Sequence, residues 1–496
     1  MLSNNKKKLI KSLILIVIFC TITYFPFFLH LGSMPIIIWD EARLAINAYE
    51  MNLNNNYIVT HFCGEPDMWN TKPPLLIWLQ VFFIKLLGVN ELAIRLPSAI
   101  AAFLTAALLL IFSIKYIKDT NFGFIAVLFL ITSNGYVHLH AARTGDYDAL
   151  LTLFTTLYPL MFFLYLEKNN EKYLHWCFVA LTLGVLTKTV QALFFVPAIF
   201  LYVLFTKKLV KTLKDKWFYI DILISLIIIL GYYLLREHFN PGYLKAVWQN
   251  DLGQRYLTPI DGHRESFLYY YDIIVDFHLK NWYWLLPCGF VAGIFIKNEK
   301  IRKISIYSSI LIVTYWLIIS LSQTKLQWYI VPMFPFMAIL CSVIIYFVFS
   351  VLKESKTVNK HFIINVIPYI FIFLVFLTPY SNTIDKVYFP QQKVLERDFY
   401  NISFYLQHAA KDKFSLKNQK ICYEGYNAHL LFYTNLLNEK GENVTFADVS
   451  LLQQGDTVIA SQKEIQDSIE NNFEFSEIKN QENVKTYVIN GKKSNN

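Results

Sequence analysis

The residues that could do chemistry are few, and they stand in short polar stretches of an otherwise apolar chain. In Trp39-Asp40-Glu41-Ala42-Arg43 two carboxylates precede a helical pattern of Leu44, Ala48 and Met51. Asp40 reads as an N-cap and Glu41 as a first-turn acid, both favourable at a helix start. A carboxylate there can also take the proton of a substrate hydroxyl as a general base. Thr71-Lys72-Pro73-Pro74 opens the apolar run Leu75 to Leu87. Proline in a first turn is ordinary, but a cation at a helix N-terminus works against the macrodipole by up to about 1 kcal/mol. Lys72 is therefore either a snorkelling interfacial lysine or a partner for an anion such as a phosphate. Arg95-Leu96-Pro97 repeats the pattern one helix later.

Ala142-Arg143-Thr144-Gly145-Asp146-Tyr147-Asp148 enters the next apolar stretch. Asp146 can be a cap. Asp148 stands inside the start of the apolar run, where a lone carboxylate is costly, so it should face protein or a wet cavity. The Asp-x-Asp pair with Arg143 could hold a metal, or could position sugar hydroxyls and counter a phosphate-binding lysine. His138 and His140 precede it and fit interfacial residues better than metal ligands. Isolated cations follow at Lys188, at Arg255 with His263 and Arg264, and at Lys325 in Lys325-Leu-Gln-Trp-Tyr. Lys188 and Lys325 have simple helix-C-terminal readings. Fixed cations at one membrane face would also stabilise a departing phosphate.

The elements that position these residues are membrane helices. Of 496 residues 55% are hydrophobic and 16% charged, with mean hydropathy +0.38; soluble domains carry about a quarter charged residues. The net charge of +9 comes from short basic loops between apolar runs and gives no reason to expect nucleic acid. Spans are expected near 9–30, 96–114, 122–139, 148–166, 174–187, 190–206, 218–235, 283–296, 304–321, 331–351 and 362–379. The pair flanking Lys188 could be a hairpin. With Lys6 to Lys8 cytoplasmic, the basic runs at 115–118, 168–172, 207–216, 297–303 and 353–360 all fall on one side. The first apolar run lacks a cleavage site and reads as a retained helix.

The opposite side then holds the loops 32–95 and 236–281 and a polar tail. Runs such as Thr457 to Ala460 and Thr486 to Ile489 make the tail a small α/β or α+β domain of about 110 residues. The domain division is 1–380 and 381–496. Of six cysteines, Cys63 and Cys422 could pair if both face an oxidising compartment.

In the order and placement of Asp40-Glu41-x-Arg43, Lys72-Pro73-Pro74-Leu75, Arg95-Leu96-Pro97-Ser98, Ala142-Arg143-Thr144-Gly145-Asp146 and Lys325-x-x-Trp328-Tyr329, the chain resembles membrane glycosyltransferases of the GT-C type. It is similar to the bacterial relatives of aminoarabinose lipid A transferase and protein O-mannosyltransferase, over about residues 9–380. The resemblance implies a polytopic α-helical membrane protein with about eleven transmembrane helices and a small C-terminal α/β extracytoplasmic domain. It implies transfer of a sugar from a polyprenyl-phosphate carrier to a lipid, glycan or protein hydroxyl, at the outer face of the cytoplasmic membrane. Asp40 matches the catalytic loop acid, Lys72 the lysine on the lipid phosphate and Asp146 the second acid. Arg255 and Lys325 would assist at the phosphate, while Glu41, Arg43, Arg143, Asp148 and His263 would position sugar or acceptor. The family often has Glu where Thr71 stands, so no obligatory metal is expected, and no nucleotide cofactor. The partners implied are the bilayer, the lipid-linked donor and the acceptor. The rival class is a transporter or flippase of lipid-linked sugars. It would place charges at the membrane midplane and repeat broken helices, whereas the ionisable residues here sit at span ends.

Overall fold

A computed structural model describes residues 4–138, 140–253, 265–354, 362–388 and 397–493. Eight helices among them are long and apolar enough to cross a membrane, as expected for a multi-pass membrane protein. The expected spans at 122–139, 190–206 and 283–296 are shorter helices, Thr120–Ile131, Val196–Phe205 and Leu285–Phe295.

Helix α1 (Asn4–Phe28) leads to α2 (Asp40–Asn54), which lies outside the long spans and packs against α3 (Leu75–Leu87). The segment between them holds a two-residue hairpin of β1 (His61–Phe62) and β2 (Glu65–Pro66). Next come α4 (Glu91–Phe112), α5 (Thr120–Ile131), the short α6 (Asn134–Val137), α7 (Tyr147–Lys168) and α8 (Glu171–Lys188). Ala99, Ala101, Ala102 and Ala106 of α4 are all buried. Small side chains let helices approach closely where lipid gives no hydrophobic drive to associate. The helices Leu9–Phe28 and Lys216–Phe239 are apolar yet mostly exposed, as befits surfaces that face hydrocarbon.

Helix α7 spans the bundle, about 33 Å by its 22 residues. In its last turn Glu167 accepts from Lys208 (3.5 Å) and Lys303 (2.9 Å), and Lys168 and Lys300 lie over Tyr116. The basic loops thus gather at one end. Helix α8 rises to Lys188 at the other end, and the chain descends again through Val196–Phe205. Tyr158 donates to the Ala192 carbonyl and Phe163 packs on Tyr202. The segment around Lys188 is a hairpin.

The last long helix, Phe362–Tyr388, runs through the expected boundary at 380. The C-terminal domain has a five-stranded sheet of β3 (Gln419–Ile421), β4 (Thr445–Phe446), β5 (Thr457–Ala460), β6 (Phe473–Gln481) and β7 (Val484–Lys492) in the order β4-β3-β5-β7-β6. β3 is parallel to β4 and β5; β7 is antiparallel to β5 and β6. One hydrophobic core joins this domain to the membrane end, with Ile36, Leu44 and Met51 packed in the same cluster as Leu406, Phe432 and Leu437. Cys63 and Cys422 are both free, the first exposed and the second buried in the C-terminal core, so the possible disulfide does not form.

Candidate active site

Two loops carry the acids, and one ion pair holds them together. Glu41 is 1% exposed. Its carboxylate accepts from Arg95 Nε and Nη2 at 2.7 and 2.8 Å, from the Ile37 amide at 2.8 Å and from the Gly145 amide at 2.7 Å. Arg95, also buried, donates to the carbonyls of Leu31, Met34 and Pro35. The pair therefore pins 31–41 and 143–148 to α4. Such a pair is stable only because nearly every donor and acceptor is satisfied. Gly145 fits where nothing larger would: a Cβ there would lie 2.5 Å from Ile94 Cγ2.

Asp40, the next residue back, points the other way and is exposed. It is the first residue of α2 rather than its cap. The cap position belongs to Trp39, which has φ 74° and makes no capping bond. A bulky residue at positive φ costs about 1–3 kcal/mol and persists only where the surroundings impose it.

Asp67 organises the approach to Lys72. It accepts two bonds from Arg43 at 2.8 and 2.7 Å, one from Asn47, and the amides of Trp69 and Asn70. Burial opposes its charge, but Arg43 and these donors outweigh burial and hold its pKa below the usual carboxylate range. Asn70 is bonded in turn to Asn47 and the Tyr147 hydroxyl. Lys72 Nζ then lies 5.5 Å from the Tyr147 ring centroid.

On the second loop Asp146 occupies the cap position of α7 without making a capping bond. It faces His140 Nδ1 at 3.3 Å, and the His140 ring stacks on Trp328 at 3.7 Å. Burial disfavours the imidazolium, but Asp146, with Asp40 and Asp148 beyond it, raises the His140 pKa to about 9. Asp146 is correspondingly held below its ordinary value, with His140 outweighing burial. Asp148 accepts Lys188 Nζ at 2.7 and 2.8 Å, and that ammonium lies 5.6 Å from the Tyr329 ring centroid.

Asp40, Arg43, Lys72, Asp146, Asp148 and Lys188 line one narrow cleft, with Trp69, Asn70 and Trp328 among its walls. The shared cleft expected for Asp40, Lys72 and Asp146 exists. A larger groove of about 460 Å³ runs beside Cys422, Asp448 and Lys493 in the C-terminal domain, away from these groups. Other expected residues have different places. Glu41 is fully engaged by the loops and turned from the cleft. Arg143 donates to the carbonyls of Pro26 and Leu29 and secures the end of α1. Lys325 is buried, donates to the Ser322 carbonyl and is not among the cleft residues. Arg255 and His263 lie outside the described residues. Lys188, one of the isolated cations noted in the sequence, joins the cleft beside Asp148, while Asp67 and Asn70 were missed as parts of the site. A lysine interrupting the apolar run 174–206 was the signal for Lys188; nothing in the sequence marked Asp67 and Asn70.

Asp40, His140 and Asp146 each offer a ligand atom, all within 4.8 Å of one another, and one oxygen of Asp146 is buried without a partner. A metal held there would take the place of the His140 ring proton, and the same acids that raise that ring's pKa would also favour a cation. The cleft also brings a solvent-facing carboxylate, Asp40, together with Lys72 and the acids Asp146 and Asp148. That arrangement can deprotonate a hydroxyl and neutralise a leaving anion.

Three comparisons bear on this cleft. The family model described as dolichyl-phosphate-mannose-protein mannosyltransferase matches residues 71–233. An uncharacterized protein of Aquifex aeolicus (strain VF5) is 26% identical over 341 residues, covering 67% of this chain and 63% of that protein. An undecaprenyl phosphate-alpha-4-amino-4-deoxy-L-arabinose arabinosyl transferase of Aeromonas salmonicida (strain A449) is 27% identical over 341 residues, 66% of this chain and 59% of the other. The chain matches about three fifths of the length of these curated relatives. The crystal structure of ArnT from Cupriavidus metallidurans bound to undecaprenyl phosphate superposes with a TM-score of 0.72, covering 96% of this chain and 97% of that one at 14% identity.

Proposed function

Given a chain that is similar to GT-C glycosyltransferases and shares the ArnT fold over 96% of its length, we propose that it transfers a sugar from a polyprenyl-phosphate carrier to a hydroxyl acceptor. The observation that carries this reading is the meeting of Asp40, Lys72 and Asp146 in one cleft. The relative whose structure holds undecaprenyl phosphate supports a carrier of that chemistry.

The reaction is one inverting displacement. The acceptor oxygen attacks the anomeric carbon while the bond from that carbon to the phosphate oxygen breaks. Asp40 takes the acceptor proton. Lys72 neutralises the polyprenyl phosphate as it departs. The unpartnered oxygen of Asp146 accepts from a sugar hydroxyl or ammonium, and the Asp148–Lys188 pair sets the far wall. The charge balance needs no metal and no nucleotide. In this reading the enzyme sits in the cytoplasmic membrane with the N-terminus inside and the cleft and C-terminal domain outside.

The test is reconstitution with a labelled undecaprenyl-phosphate sugar and a crude envelope acceptor fraction. Wild type should form a covalent product, and Asp40→Asn should lower transfer by about 10²–10⁴-fold. Transfer within about threefold of wild type would overturn the base assignment. EDTA in the same assay should leave transfer unchanged; a loss restored by added divalent metal would assign the Asp40–His140–Asp146 cluster to a metal instead.

A further inference from the structure

The cleft explains the acids and the lysines but not the aromatic pair at its rim. Trp39 is 61% exposed although it immediately precedes Asp40. Its indole is stacked on the ring of Tyr426, with centroids 4.8 Å apart and planes 5° from parallel. Tyr426 belongs to the C-terminal domain. It follows Gly425, whose φ of 94° turns the chain after β3. That turn lies at the carboxyl end of the parallel strands, the edge where open α/β sheets bind ligands. The Tyr426 hydroxyl reaches Arg43, itself clamped by Asp67. The pair is thus built from two parts of the fold and braced beneath.

We propose that Trp39, backed by Tyr426, is the platform on which a sugar ring of the acceptor stacks, so that the C-terminal domain takes part in selecting a carbohydrate acceptor. One indole face is covered by Tyr426, and the exposure of the residue leaves the other open. A flat, rigid aromatic face beside a general base suits a pyranose, whose axial C–H groups pack on the ring while its hydroxyls project from the rim. A hydroxyl so presented comes beside Asp40, the next residue in the chain. A peptide serine or threonine has no such face to offer. The positive φ of Trp39 fits this role: the backbone holds the indole outward instead of letting it fold into the apolar core behind α2. A general interfacial anchor needs neither the parallel stack nor the strained backbone. The proposal rests on the transferase reading for the identity of the bound ring as an acceptor.

The experiment uses the full-length protein in nanodiscs. A methyl glycoside of a glucosamine disaccharide and, separately, a serine-containing peptide are added, and binding is read by saturation-transfer-difference NMR. The disaccharide should take saturation on its C–H face in wild type, and the peptide should take none. Trp39→Ala and Tyr426→Leu should weaken the disaccharide signal about tenfold, and Trp39→Phe should weaken it less. Melting temperatures identify any variant that fails to fold, and the other substitution then carries the test. Equal signals in wild type and variants, no disaccharide signal in wild type, or saturation of the peptide instead would each overturn the platform. Failure of the transferase reading looks different: the disaccharide binds through Trp39, yet no sugar passes to it from the polyprenyl-phosphate donor.

Discussion

At the scale of single residues, the cleft works by pairing each buried acid with one cation while Asp40 stays exposed. His140 is the pair with a titration in reach. Its ordinary pKa of 6.5 is raised to about 9 in the folded protein. Folding therefore gains from the charged ring, fully so below about pH 6.5, and loses that gain as the pH rises through about 9. Asp146 runs the other way. Its pKa is depressed, so its share is present above the ordinary value of 3.8 and vanishes in acid. His140→Gln should accordingly lower the melting temperature at neutral pH and match wild type above pH 9. Equal losses at both pH values would show that the ring is not charged. Sequence alone left His138 and His140 as interfacial residues, because the partner carboxylate is placed by a loop turn that no periodicity reveals.

At the scale of elements, the site depends on α4 as the post to which two loops are tied. Arg95 donates to the carboxylate of Glu41 and to three carbonyls of the first loop, and Glu41 accepts the Gly145 amide of the second. Glu41→Gln should leave the buried guanidinium without its counter-charge and cost about 3–5 kcal/mol, measured as a fall in detergent-solubilised thermal stability. Transfer should fall with it, since Asp40 and Asp146 would no longer share a frame. A variant with wild-type stability would assign Glu41 to substrate instead. In the sequence, Glu41 looked like a substrate contact because an acid beside an apolar run was a candidate for one, and Arg95 stood only as a cation at a helix start. Burial separates the ones that hold loops from the ones that face the cleft.

At the scale of the molecule, the C-terminal domain is tied to the first acidic loop and to α4 rather than being an appendage. Tyr433 donates to Glu91 at the start of α4 and accepts the Ile36 amide of the first acidic loop, both at 2.9 Å. Gln407 adds a bond to Glu91 at 2.8 Å, and Tyr49 of α2 donates to Glu439. Tyr433→Phe should leave Glu91 and the Ile36 amide each short of a partner in a buried place, about 1–3 kcal/mol. The check is chemical denaturation together with transfer rate, and both should drop. Unchanged values would mean that the domain docks without steering the loop.

What the sequence determined by itself is what local composition can express. Apolar runs long enough for hydrocarbon gave the spans, lysines between them gave a common end for the basic loops, and alternating runs located β5 and part of β7. The types and order of Asp40, Lys72 and Asp146, through the resemblance they carry, pointed to the proposed chemistry. Only the tertiary structure decided which charges face the cleft. Whether an acid in an apolar setting meets an arginine, a lysine or open solvent depends on residues 54 or 40 positions away, as with Glu41–Arg95 and Asp148–Lys188. The stacking of Tyr426 on Trp39 joins still more distant parts of the chain. Such pairings follow from packing between helices and domains, and no local pattern encodes them.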